Sequence, residues 1–306
     1  MARCSPRQHR ARGRVARLRH PAKRMLRVLA LVFAGAGTAL HCVFAQAHGL
    51  SSTGQVPRDV RVAEQVTLID RLFELLIPAA NAVVRMRVEK ANGFPVIESD
   101  GLAVHQTGQF PNRGNPNRIQ AQSHRFQMSL EPTQSSTFTP LGHNTFGVAI
   151  NGVRFDSATA EYWNNDRSAD WNIEALTGGI NFGLEQNNAH VQPSGAYHDH
   201  DVPEGLMASF EFRSRPTLLG YAADGFPVYG PYSYQDADDA RSRVVAFKPS
   251  YQLKPGSRPD GPRGRYDGTY TRDWEYASGT GALERCNSRS AVTPQYPQGE
   301  PTTMRS

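Results

Sequence analysis

Apolar residues take three different spacings along this chain, and each predicts a different kind of segment. An apolar stretch from Val28 to Phe44, broken by small residues, follows Arg27 and ends before Ala45-Gln46-Ala47. A positive start, an apolar centre and a small-x-small end are the parts of a secretory signal, with cleavage after Ala47. The stretch is at the short end for a bilayer span and carries Gly35, Gly37 and His41, which argues against a retained anchor. The Arg-rich extension before Met25 is long for such a signal and makes Met25 an alternative start. From Val60 to Ile77 the apolar positions Val62, Val66, Ile69, Leu72, Phe73 and Leu76 fall on one helical face, and Pro78 ends it.

Beyond Pro78 the spacing shortens to β-leaning runs divided by Gly, Pro, Asn and Asp. Predicted strands are Ala82 to Val88, Gly93 to Ile97, His124 to Leu130, Phe146 to Ile150, Ala208 to Phe212, Leu218 to Ala222, Phe226 to Tyr229 and Arg243 to Phe247. Asn92-Gly93 and Asp224-Gly225 have the chemistry of type I′ hairpin turns, because both residues tolerate positive φ. Two long segments, 109–117 and 254–268, are too rich in Pro, Gly and Asn for regular structure, and Trp171, Trp274 and many tyrosines supply apolar area to pin them. The expected organisation is a signal with an Arg-rich extension over 1–47, a linker and short helix over 48–80, and one domain over 81–306. The fold class is mainly β: a large, loop-rich, predominantly antiparallel domain, sandwich-like, with a short helix before it.

Charge changes meaning once the leader is separated. The whole chain has a formal charge of +6, yet residues 1–47 hold ten of its 34 Lys and Arg and none of its 28 Asp and Glu. The chain beyond Ala47 is therefore at −4, which gives no electrostatic reason to bind a phosphate backbone and argues against a nucleic-acid partner. No later apolar run is long enough to span a membrane, so no stable span is expected after processing. The location expected is periplasmic or secreted. Cys4 and Cys42 leave with the leader, and Cys286 is expected as a buried free thiol.

Three of the seven remaining histidines, His190, His198 and His200, lie within eleven residues. On an extended strand the H-x-H pair faces one side, so both imidazoles reach one ion. The Pro193-Ser194-Gly195 turn would fold His190 back as a third ligand. Three histidines suit Zn or Cu with an open position for water or substrate. Asp199 and Asp201 would point to the other face. The bland reading stands beside this one: polar residues bonding backbone carbonyls under long loops. His105, His124 and His143 carry no spacing signal, Asp224 reads as a turn residue, and an exposed His48 after cleavage would be an amine-imidazole copper chelator. The motifs of α/β-hydrolases, zinc proteases and nucleotide-binding proteins are not found.

The run Tyr197-His198-Asp199-His200 resembles the name motif of the YHYH-domain proteins, an exported family. FPNRGNPN (110–117), PLGHNTFGVAINGVRFD (140–156), QNNAHVQPSGAYHDH (186–200), LLGYAADGFPVYG (218–230), GRYDGTY (264–270) and LERCNSR (283–289) are similar to that family's blocks in order, from about residue 83 to Gly299. Asp199 stands where the motif has its second Tyr, and Asp201 where the family has Gly. The family continues after a block like TPQYPQG (293–299) with another strand, whereas Glu300 to Ser306 is expected to stop short of one and leave a sheet edge unpaired. The resemblance implies the domain and, with no activity assigned to the family, fixes no chemistry. The expected function is a binding module with a His-rich, metal-binding site. The alternatives are a metal-dependent hydrolase or oxidoreductase using the same histidines, and purely structural histidines; ligand and protein partners are not specified.

Overall fold

Eight short strands share one mixed sheet in the computed structural model, which describes residues 2–3, 84–88, 95–129, 132–135 and 137–304. The predicted signal, His48 and the helix over 60–77 lie outside these residues. The strands are β1 (Thr145–Ala149), β2 (Arg154–Asp156), β3 (Ala189–Val191), β4 (Tyr197–Asp199), β5 (Leu218–Ala222), β6 (Pro227–Tyr229), β7 (Ser288–Ala291) and β8 (Glu300–Met304). Their order is β7-β8-β6-β5-β1-β2-β4-β3, open at both ends. All neighbours are antiparallel except β2 with β4 and β6 with β8. A smaller antiparallel sheet joins 84–88, 95–99 and 124–127, and two further antiparallel pairs join 232–234 to 244–246 and 251–253 to 274–276. The chain is mainly β and rich in antiparallel pairs, as expected.

The centre of the large sheet is covered on both faces, which explains why β5 reads Leu-Leu-Gly-Tyr-Ala without alternation; all five residues are buried. Ile97, Phe126 and Met128, on or beside the smaller sheet, pack into the same core as Val148, Leu219, Tyr221 and Val228. Phe155 of β2 is fully buried, stacks on Phe146, and lies over two strand glycines. A Cβ at Gly220 would fall 2.8 Å from the Phe155 ring and 2.2 Å from the Val148 carbonyl oxygen. Glycine is therefore dictated there by close approach.

Several expectations need correction. Residues 208–212 form no strand: Pro203 caps a single turn, α1 (Glu204–Met207), and the chain keeps turning, with the Phe210 amide donating to the Met207 carbonyl at 3.0 Å. Buried Leu206 and Met207 with Phe210 follow helical rather than alternating spacing. The hairpin at Asp224-Gly225 does join β5 to β6, but only Gly225 has positive φ (96°). Such a turn is a type I turn followed by a left-handed glycine. The strands flanking Asn92-Gly93 also pair antiparallel, while the turn itself lies outside the described residues. The edge expected to be left unpaired near residue 300 is instead β8, seated between β7 and β6. Cys286 is half-buried and disulfide-bonded in the full-length chain, where a buried free thiol was expected of the processed one.

Both long loops are tied down. Asn115 and Asn117 each donate a side-chain amide to the Val191 carbonyl, at 2.9 and 2.8 Å, and Asn112 donates to the Gly183 carbonyl at 2.9 Å. The second loop is held by Trp171 Nε1 donating to Asp260 at 2.7 Å, with the Arg272 guanidinium over the same indole, and by Arg258 bonded to both Asp267 and Asp273. Phe155→Ala is expected to lower the unfolding free energy by about 3–5 kcal/mol and Gly220→Ala by about 1–3 kcal/mol, both read from urea denaturation of the purified protein.

Candidate functional site

The β3–β4 hairpin builds the site from three local rules. Gln192 to Ala196 close the turn: the Gln192 amide donates to the Ala196 carbonyl at 2.9 Å, and Gly195 takes φ 86°. The antiparallel register then sets His190 directly opposite His198. Extended backbone places His200 on the same face as His198, its amide bonded to the Asn188 carbonyl at 2.8 Å. The three residues predicted from spacing are thus brought together, by the turn expected to do it.

Their nitrogens converge. His200 Nε2 lies 3.1 Å from His190 Nε2 and 3.2 Å from His198 Nε2. His198 and His200 are buried and His190 half-buried. His190 Nδ1 faces the Phe182 carbonyl at 2.9 Å and His198 Nδ1 the Ala196 carbonyl at 3.3 Å. A carbonyl only accepts, so both Nδ1 atoms carry the proton and both neutral rings turn an Nε2 lone pair inward. Burial holds both rings neutral: it lowers the His198 pKa to about 4, against the opposing pull of Asp156, and lowers that of His190 despite the Phe182 bond. One Nε2–H on His200 cannot donate well to two acceptors at once. A cation among the three nitrogens, which lie within 4.8 Å of one another, would resolve that conflict; tetrahedral Zn–N bonds of about 2.0–2.1 Å put ligand nitrogens about 3.3 Å apart, close to the two separations His200 makes.

Asp156 and Arg154 adjoin the cluster, and neither was singled out from the sequence. Arg154 pairs with His198 in the parallel β2–β4 register, and Asp156 follows on the same face. Asp156 Oδ2 is 3.9 Å from His198 Nε2, accepts from Gln192 Nε2 at 3.1 Å and faces Arg154 Nη2 at 3.3 Å. Their only signal was the alternation Arg-Phe-Asp, two charges on one face of a strand whose middle residue is fully buried.

The model of the YHYH protein family matches residues 125–302. The chain belongs to the YHYH protein family. No curated protein and no solved structure matches it. In this member of the YHYH family, Tyr197 and Asp199 alternate with the histidines. Tyr197 donates to Glu185 at 2.7 Å and meets His105 and Phe110 edge-on, while Asp199 raises the Tyr197 pKa second only to burial. His105, His124, His143 and Asp224 do not join the three-histidine group, nor do Asp199 and Asp201.

His105 is desolvated behind the hairpin, and burial lowers its pKa to about 4. A histidine whose folded pKa lies below the ordinary 6.5 leaves stability intact above pH 6.5 and removes it as pH falls towards 4. His105→Gln is therefore expected to retain a larger share of its own pH 7 stability at pH 4.5 than the parent retains, in paired denaturation curves.

Proposed function

We propose that this chain is an exported metal-binding protein of the YHYH family, whose His190, His198 and His200 hold one transition-metal ion, Zn or Cu. The observation that carries the reading is the convergence of three Nε2 atoms, two with Nδ1 turned onto backbone carbonyls. Carbonyls that orient a metal-binding imidazole through its other nitrogen are the usual supporting partners of such sites. Soft or borderline ions suit an all-imidazole set better than Mg or Ca, which take oxygen ligands. Periplasmic or secreted location rests on the signal pattern ending at Ala47.

Asp156 favours a second reading, that of a metal-dependent hydrolase or oxidoreductase. A carboxylate 3.9 Å from a ligand nitrogen is placed to accept a proton from water in an open coordination position. The ion, when bound, would supply Lewis acidity; Asp156 would orient or take the proton, and Gln192 and Arg154 would hold its carboxylate.

Elemental analysis of the purified protein beside a His198→Ala, His200→Ala double variant tests the metal. About one equivalent of zinc or copper, lost in the variant, is expected, together with a chelator-induced fall in Tm seen only in the parent. A folded parent that takes up no metal under saturating zinc and copper overturns the reading and leaves the histidines as structural struts.

A further inference from the structure

A pocket of about 310 Å³ opens between the 124–127 strand and the large sheet, and its wall includes Arg154, His124, Phe126, Met128, Val148 and Tyr221. Its volume sits at the lower end for small-molecule sites. Two features give it a chemical preference. Two guanidinium-bearing residues, Arg125 and Arg154, contribute to the wall, and no Asp or Glu among the described residues does. Arg154 Nε is also buried with no hydrogen-bond partner among the described residues, while Nη2 faces Asp156. A buried, unsatisfied guanidinium N–H costs free energy, which an anion recovers once the partly exposed Arg154 side chain turns to present it to the pocket. Phe126, Met128, Val148, Tyr221 and Ala222 give the wall an apolar and aromatic part, beside the polar His124, Gln127 and Thr145.

We propose that this pocket binds a small organic carboxylate, its charged end on Arg154 and its apolar body against Phe126, Met128, Val148 and Tyr221. A carboxylate matches the planar fork of the guanidinium, and an apolar body of about ten heavy atoms suits the volume. Arg154 pairs with His198 across β2 and β4, so the bound carboxylate sits in the row beside the histidine cluster. The proposal stands on the pocket alone and does not require the metal site to be loaded.

Benzoate is the probe, titrated into metal-free protein and followed by calorimetry and by NMR shifts, with benzyl alcohol supplying the same ring without the charge. Saturable benzoate binding is expected, at least roughly tenfold tighter than benzyl alcohol and roughly tenfold or more weakened by Arg154→Gln, the scale of a hydrogen bond to a charged group. Arg154 lies in the sheet, so Ala223→Trp serves as a second variant: Ala223 is exposed at the pocket wall, and the indole would block entry without touching the core. The His198→Ala, His200→Ala variant is expected to keep benzoate binding, which separates this result from the fate of the metal reading. Absence of saturable binding, equal affinity for benzyl alcohol, or unchanged affinity in a folded Arg154→Gln or Ala223→Trp variant overturns the proposal.

Discussion

The antiparallel register that sets His190 opposite His198 is the constraint on which the histidine geometry depends. A slip of one residue would turn His190 to the opposite face, because side chains alternate along a strand. Three contacts oppose that slip. Gly195 closes the turn at a φ that other residues avoid, and its carbonyl accepts the Gln120 amide at 2.9 Å. The Val191 carbonyl accepts two asparagine side chains, so the outer edge of β3 is bonded to the 109–117 loop rather than left for another chain. The Phe182 carbonyl then fixes the His190 ring itself. The loop that looked irregular in sequence is the clamp on the site's edge strand.

Much of this was legible in the residues, and the reasons for the rest are physical. The H-x-H spacing and the Pro-Ser-Gly turn are local, and local geometry sufficed to bring three imidazoles together. Strands whose apolar content exceeds their surroundings, such as Leu218 to Ala222, were also plain. Short strands were not: β2 is three residues long, and nothing local showed that it lies between β1 and a parallel partner more than forty residues away. The 208–212 segment misled because Phe210 and Phe212 alternate, while Pro203 and the buried pair Leu206 and Met207 had already committed the chain to a helical turn. Asp156 was missed because its importance comes from what β4 places beside it.

The motif that names the family divides between two faces. His198 and His200 look towards the cluster, whereas Tyr197 and Asp199 look towards the loop carrying His105 and Phe110. Tyr197 serves packing and one hydrogen bond to Glu185, an acid that also accepts the Gly108 amide and the Asn187 side chain. Asp199 in place of a second tyrosine therefore alters the supporting face and leaves the three nitrogens where the register puts them. Departure from the name motif is not departure from the site.

Charge balance links the histidine cluster to the neighbouring pocket. Asp156 and Arg154 form an ion pair, with side chains only 3 % and 17 % exposed, so together they add no net charge beside the neutral imidazoles of His190 and His198. On the proposed reading, a divalent ion there leaves two positive charges in a region where burial already keeps His190 and His198 unprotonated. Low-dielectric surroundings make such an excess costly unless an anion shares the site. Asp156 can offset part of it only by loosening its hold on Arg154, which would free that guanidinium for another acceptor. Filling the cluster and filling the pocket would then favour one another, because the carboxylate drawn to the ion is the one that otherwise occupies Arg154.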